Sequence, residues 1–144
     1  MSAHNGASPY QLPKTVAPRH YDILVEPDFH TFRFRSRAAI DIEVFEPVDH
    51  VMVHALGLKI TRAYAENAAG AHQEALQSRA SVTFIDPMSG EARAEEFESA
   101  AATDEKAQTA TFSFDRALAR GDWKLVAECE GSLVPLPKAL RCLA

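Results

Sequence analysis

Two histidines, His50 and His54, come nearest to a metal-binding motif. Zinc hydrolases place two histidines four residues apart on a helix, with a glutamate directly after the first that reaches the zinc-bound water. In this sequence Val51 stands at the position of that glutamate, and the alternating residues around it favour a strand. Along a strand the two imidazoles would lie roughly 13 Å apart, which is too far to share one ion. We therefore expect no zinc site here.

A catalytic nucleophile would have to be a serine or Cys129 acting with a histidine, but no Gly-x-Ser-x-Gly or comparable segment presents one. Cys129 and Cys142 are the only cysteines, and their spacing is not Cys-x-x-Cys. A disulfide or redox pair is the alternative, but we expect two reduced thiols, one of them a small core residue. The sequence predicts no catalytic residue, no cofactor-binding residue and no metal ligand.

Three arginines, Arg33, Arg35 and Arg37, alternate with apolar or small residues. On a strand they would project from one face as a basic stripe that could grip a carboxylate or an acidic partner strand. The other interpretation is cross-strand pairing with surface acids, and we prefer it. Trp123, Phe112 and Phe114 could likewise form a platform for sugars or bases, but their alternation with other apolar residues favours the core.

Composition removes several classes of function. The chain has 144 residues, enough for one domain, and 15 basic against 20 acidic side chains give a net charge of -5. Seven acids and one arginine between Asp86 and Glu105 give that segment a charge of -6, which we assign to surface solubility rather than cation binding. No phosphate-binding glycine pattern occurs, so nucleotide chemistry is not expected. Because the chain is acidic overall and has no long cluster of Lys and Arg, nucleic acid and membrane partners are not expected either. Without a leader-like or membrane-spanning stretch, we expect a cytoplasmic protein.

The elements that would position these residues are strands. From Phe32 to Glu46, apolar residues alternate with charged ones, which predicts a long strand with one buried face that ends at Pro47. Shorter segments behave alike at 21–25, 51–53, 58–60, 82–85, 110–114 and 123–129, and turn-forming residues separate them at 26–28, 46–47, 69–70, 86–90 and 120–122. About seven or eight strands and hardly any helical periodicity predict an all-β, antiparallel β-sandwich. The one segment that could be helical instead is His72 to Arg79, which could form one or two helical turns.

The alternation also divides the residues into two faces, and a one-residue slip would invert the division. The predicted core residues are Phe34, Ile40, Ile42, Val44, Phe112, Phe114, Trp123 and Leu125. The predicted outward residues are Arg33, Arg35, Asp41, Glu43 and Lys124.

Four segments resemble the N-terminal domain of the aminopeptidase N type zinc aminopeptidases. Tyr10 to Asp22, with its Leu-Pro and Pro-Arg-His-Tyr, is similar to the family's opening, and Phe32 to Glu46 is similar to its long second strand. Val53 to Ile60 resembles its His-Ala-Leu-x-Leu strand and turn, and Ala110 to Leu133 its closing hairpin. The resemblance covers about residues 10–133 and fails after Leu133.

The resemblance implies a saddle-like β domain that packs on a thermolysin-like catalytic domain and helps to wall off its active site. The family's zinc ligands and catalytic residues belong to that following domain, so no zinc or other cofactor is expected in this chain. The implied division is a flexible tail over residues 1–9, the β-sandwich domain over 10–133 and a divergent tail over 134–144.

Two interpretations of function remain open. The chain is either a non-catalytic N-terminal domain, whether fragment or truncated homologue, whose partner is a catalytic domain of the same or another chain, or a free-standing β-sandwich protein-interaction module. An autonomous enzyme is disfavoured, although the parent family consists of metallo-aminopeptidases.

Self-association is also expected, because strands missing after Leu133 would leave an unpaired edge. In the tail, Pro137 could start a short helix with Leu136, Leu140 and Leu143 along one side, and an unstructured tail is the equal alternative.

Overall fold

The computed structural model describes residues 15–55, 58–86, 88–104 and 106–133. These residues form ten strands and no helix, and every paired strand is antiparallel. The predicted all-β, sandwich-like fold is therefore confirmed. The tails expected at residues 1–9 and 134–144, including the leucine stripe, lie outside the described residues. In the part of the chain that is described, no helix is long and apolar enough to cross a membrane.

The strands fall into two stacked sheets and a separate hairpin. The five-stranded sheet has the order β1-β2-β10-β4-β5, the three-stranded sheet has the order β3-β9-β8, and β6 pairs with β7. The strands are β1 Val16–Asp28, β2 Arg33–Val44, β3 Val48–His54, β4 Lys59–Asn67, β5 His72–Glu74, β6 Ser78–Ile85, β7 Ala92–Ser99, β8 Ala102–Asp104, β9 Thr109–Leu118 and β10 Gly121–Ser132.

The core lies between the two sheets and follows the alternation in β2, β9 and β10. One face of each strand is buried because its side chains, at every second position, meet those of the opposite sheet. All eight residues predicted for the core are buried. Of the predicted outward residues, Arg35 and Lys124 are exposed, whereas Arg33, Asp41 and Glu43 are partly exposed on the same outer face. The predicted register of these strands is correct.

The chain changes sheets twice at the same end of the sandwich. It passes from β2 to β3 after Val44 and from β9 to β10 after Leu118, and Val48 and Leu118 are themselves cross-strand partners. The second crossing is stabilised by the indole Nε1 of Trp123, which donates to the carbonyl oxygen of Ala119 at 2.8 Å. The prediction of a closing hairpin is therefore wrong: β9 and β10 are neighbours in the chain but belong to different sheets.

The helix considered for His72 to Arg79 is also wrong. The amide of Ala75 donates to the carbonyl of Ala63 at 2.9 Å, and the amide of Leu76 donates to the carbonyl of Ser113 at 2.7 Å. These backbone groups are paired with two other segments, and so short a helix would be marginal without tertiary support. The segment instead forms β5, an isolated bridge and the start of β6.

The first turn lies later than predicted. The sequence placed it at 26–28, but β1 continues to Asp28 and the reversal occupies the residues before Arg33. Pro27 is tolerated inside β1 because this strand is at the edge of the sheet, where a missing N–H costs no ladder bond.

Candidate functional site

The arginine stripe lies on the outer face of the five-stranded sheet, the face turned away from β3, β9 and β8. The guanidinium of Arg33 pairs with the carboxylate of Glu95 on β7, and it lies 4.4 Å from the ring centre of Phe84. The ammonium nitrogen of Lys59 on β4 lies 3.8 Å from the same carboxylate. These contacts lower the pKa of the Glu95 carboxyl, chiefly through the hydrogen bonds from Arg33. Glu95 therefore fastens the β6–β7 hairpin to the main sheet.

The other two arginines also have neighbours in place. Arg35 lies opposite Glu26 on β1 and Glu130 on β10. Arg37 lies opposite Glu128, and its Nη2 donates to the hydroxyl of Tyr64 at 3.2 Å. Arg33 is thus paired with an acid, and acids lie opposite Arg35 and Arg37 in the sheet, which fits cross-strand pairing better than a stripe held free for a carboxylate ligand.

The densest polar cluster, which the sequence did not indicate, joins β4 to the short strand β5. Arg62 donates to both carboxylate oxygens of Glu74 at 3.1 and 3.3 Å, and an imidazole nitrogen of His72 lies 2.5 Å from the same carboxylate. The His72 ring stacks on Tyr64, with ring centres 4.9 Å apart. The hydrogen bonds from Arg62 lower the pKa of Glu74, and the same pair raises the pKa of Arg62. The only sequence feature that could have indicated this cluster was the alternation of polar residues along β4 and β5.

This β4–β5 cluster is better suited to holding an edge strand than to chemistry. Its carboxylate is engaged by a guanidinium, so it is a poor general base, and the side chains are about half exposed. The hydrogen bonds and ion pairs of the cluster among the described residues join arginine, glutamate and histidine side chains, and none of them involves a serine or cysteine nucleophile.

The described residues do not fit a zinc ion. His50 and His54 lie on the strand β3 as predicted, both are exposed, and the nearest acidic group to His50 is Asp49, 3.0 Å from Nδ1. Across the described ranges, no three His, Cys, Asp or Glu side chains are grouped so that they could hold a metal ion. The prediction of no catalytic, cofactor or metal residue remains a prediction for the whole chain.

The remaining candidates serve the core and the turns. Trp123, Phe112 and Phe114 are buried, so they are not a ligand platform. Cys129 is a free, buried thiol whose pKa burial raises to about 11, which disfavours the reactive thiolate. In the acidic segment, Asp86 accepts hydrogen bonds from the amides of its own turn, an arrangement that lowers its pKa.

The described residues also include an exposed apolar surface on β1 and the turn after it. Its members are Tyr21, Ile23 and Val25 on the inner face of β1, together with Phe29 and Phe32 in the turn, and Leu24 is exposed on the outer face. Phe29 is 72% exposed, and Phe32 adopts a positive φ of 56°, unusual for a residue with a side chain. The sequence indicated β1 but gave no sign that its inner-face residues would remain uncovered. Such a concentration of exposed apolar side chains makes this surface a candidate for contact with another domain or chain.

Comparison with known proteins connects the chain to aminopeptidases. It is 29% identical over 126 residues to Aminopeptidase 2 of Candida albicans, which covers 84% of this chain and 11% of that protein. It is 40% identical over 50 residues to the mitochondrial Aminopeptidase 2 of Saccharomyces cerevisiae, covering 34% of this chain and 5% of that protein.

A third relative is the rat (Rattus norvegicus) Endoplasmic reticulum aminopeptidase 1, 32% identical over 65 residues, covering 42% of this chain and 7% of that protein. No protein-family model matches the chain. The chain thus spans only a small part of the length of each of these relatives, and it contains a region related to aminopeptidases.

Proposed function

We propose that this chain is the non-catalytic N-terminal β domain of a zinc aminopeptidase-like protein, packing against and helping to wall off a catalytic domain outside these 144 residues. The observation that carries the proposal is the extent of the match: 84% of this chain aligns with 11% of an aminopeptidase. The resembled family holds its zinc in the catalytic domain, so the proposal assigns no metal to this chain.

The surface best placed to meet a following domain is the β1–β2 turn. The amide of Leu133, the last described residue, donates to the carbonyl oxygen of Phe32 at 2.7 Å. The last described residue is therefore held at the β1–β2 turn, which carries the exposed side chains of Phe29 and Phe32. A catalytic domain that packs on this turn would remove the two rings from water, which is a favourable contribution to the contact.

One test addresses the chemistry of the chain alone. The purified chain should neither retain stoichiometric zinc nor release an N-terminal residue from aminoacyl-amide substrates, because its described residues supply no ligand set to activate water. Elemental analysis and a chelator-controlled peptidase assay measure both. One zinc per chain together with chelator-sensitive cleavage would contradict the proposal.

A second test addresses the contact. The chain should bind a zinc aminopeptidase catalytic domain from the same organism, prepared without its own N-terminal domain, and Phe29→Ser should weaken that binding. Leu76→Ser is the matched control, because Leu76 is 53% exposed but follows β5, at the opposite edge of the sheet. Equal binding by both variants would argue against the β1–β2 turn as the contact, and failure of the unmodified chain to bind would argue against the proposal.

The free-standing interaction module is the alternative, and the exposed apolar residues of β1 favour it. The coding frame downstream of Ala144 distinguishes the two: a His-Glu-x-x-His within a few hundred codons supports the proposed domain, whereas a stop codon supports the module. A cytoplasmic location is part of the same proposal, and cell fractionation with an antibody against the chain tests it.

A further inference from the structure

The strand β1 lies at an edge of the five-stranded sheet. It pairs with β2 on one side, and no described strand pairs with its other side. Every residue from 18 to 28 is exposed, including Tyr21, Ile23, Leu24 and Val25. A long edge strand offers a row of unpaired N–H and C=O groups to another strand, and exposed apolar side chains add a hydrophobic gain on pairing.

The usual protections of an edge strand lie only near the ends of β1. Prolines, bulges and inward-pointing charges all discourage edge pairing. Here Pro18 and the bulge that follows it block one end, and Pro27 blocks the other. Between them, residues 20–26 form an uninterrupted window of roughly 23 Å. Its inner-face side chains, Tyr21, Ile23 and Val25, carry no charge.

The sequence of this window is complementary to itself in one register. Residues directly opposite each other in an antiparallel pair share a face, so two copies of β1 must place an inner residue opposite an inner residue. Centred on Ile23, the pairing places Tyr21 opposite Val25, His20 opposite Glu26 and Asp22 opposite Leu24 of the second copy, so that no two like charges meet. Centred on Asp22, it would place two aspartates together, and centred on Leu24, it would place Asp22 opposite Glu26.

We propose that β1 pairs with β1 of a second copy of this chain, antiparallel and about a two-fold axis at Ile23. The two five-stranded sheets would then join into one continuous ten-stranded sheet with an isologous interface. This inference goes beyond the proposed function and does not rest on it, since it needs only the edge and the side chains of β1.

Sedimentation of the full chain over a range of concentrations tests whether a second copy is the partner of β1. The unmodified chain should self-associate as a dimer, and Ile23→Lys should weaken the dimer by about tenfold or more, because two like charges would face each other at the axis. Ile23 is 47% exposed, so the substitution leaves the core intact. Leu76→Lys, equally exposed on the far side of the sheet, should leave the dimer unchanged.

Cross-linking tests the register. In a Cys142→Ser background, Ile23→Cys should form an intermolecular disulfide under mild oxidation, since only the residue at the axis faces its own copy at a Cα separation of about 4.5–5.5 Å. Val25→Cys is the matched control on the same face. In the proposed register it lies roughly 13 Å along the strand from its copy, so it should not cross-link.

Four outcomes would overturn the proposal. They are a strictly monomeric full chain at the highest attainable concentration, a dimer that Ile23→Lys does not weaken, more efficient cross-linking through Val25→Cys, and a monomer whose β1 amides are protected from hydrogen exchange. The last would mean that another segment of the same chain covers the edge.

Discussion

The ring of Phe34 fills the space beside Gly131, its cross-strand neighbour, where a β-carbon would otherwise stand. An ideal β-carbon at Gly131 would lie 2.6 Å from Cε2 of Phe34 and 3.1 Å from Cδ2 of Leu58. Glycine is therefore required at this position of β10 by close packing, since its backbone angles are not among the positive-φ conformations.

Gly131→Ala should lower the free energy of unfolding by about 1–3 kcal/mol, because the buried ring must shift to admit the methyl group. Denaturant unfolding measures the loss. Phe34→Ala removes the obstacle, so the cost of Gly131→Ala should shrink markedly in that background. Equal costs in both backgrounds would mean that the ring is not what excludes the side chain.

The half-buried character of β2 can be tested at two adjacent residues. Ile42 is 3% exposed within the core, whereas Glu43 lies on the outer face and pairs with Arg19. Ile42→Ala should cost about 2–5 kcal/mol of unfolding free energy, and Glu43→Ala under about 0.5 kcal/mol, because exposed ion pairs contribute little. Similar losses at both positions would contradict the observed division of faces.

The sequence predicted the strand β2 but not the strand β7. Both outcomes have the same physical cause. In β2 every second side chain enters the core, so Ile40, Ile42 and Val44 leave a period of two in the sequence. The strand β7 pairs only with β6, and its partly buried residues are Glu95 and Phe97. A carboxylate that packs under an arginine looks like a surface acid in the sequence.

Sheet membership was less predictable than strand position. The alternation of β9 and β10 identified the buried residues, yet a turn as short as Ala119 and Arg120 is equally compatible with a hairpin and with a crossing between sheets. What decides the crossing here is long-range pairing of β9 with β3 and of β10 with β2. The apolar edge of β1 was missed for a related reason, since alternation reports which face is apolar but not how far the opposite sheet extends.

The link between Glu95 and Arg33 predicts an acid-dependent contribution to stability. The hydrogen bonds from Arg33 hold the pKa of the Glu95 carboxyl below its ordinary value in the folded protein. A lowered folded-state pKa stabilises the fold above the unfolded value of about 4.3, and this contribution is lost as the pH falls through the lower, folded value. Glu95→Gln should therefore cost about 1 kcal/mol or less at neutral pH, and the difference should vanish in acid.

Unfolding curves from about pH 7 down to about pH 3 measure this dependence. Glu96→Gln is the matched control, because Glu96 is the next residue on β7, is exposed and has the exposed Arg79 as its ion-pair neighbour, 3.5 Å away. It should change stability by under about 0.5 kcal/mol. A Glu95→Gln effect that grows in acid would contradict the assigned direction of the pKa shift.

The buried thiol of Cys129 should make the stability of the fold depend on pH in the alkaline range. Burial raises the pKa of this thiol to about 11, against about 8.5 in an unfolded chain. Because the unfolded state loses its proton first, stability should fall as the pH rises from about 8.5 towards 11. In a Cys142→Ser background at about pH 8, native Cys129 should alkylate at least about a hundredfold more slowly than the unfolded chain, since so little thiolate is present. Rapid stoichiometric alkylation of the native chain, or an alkaline loss of stability that Cys129→Ala leaves unchanged, would contradict this account of the buried thiol.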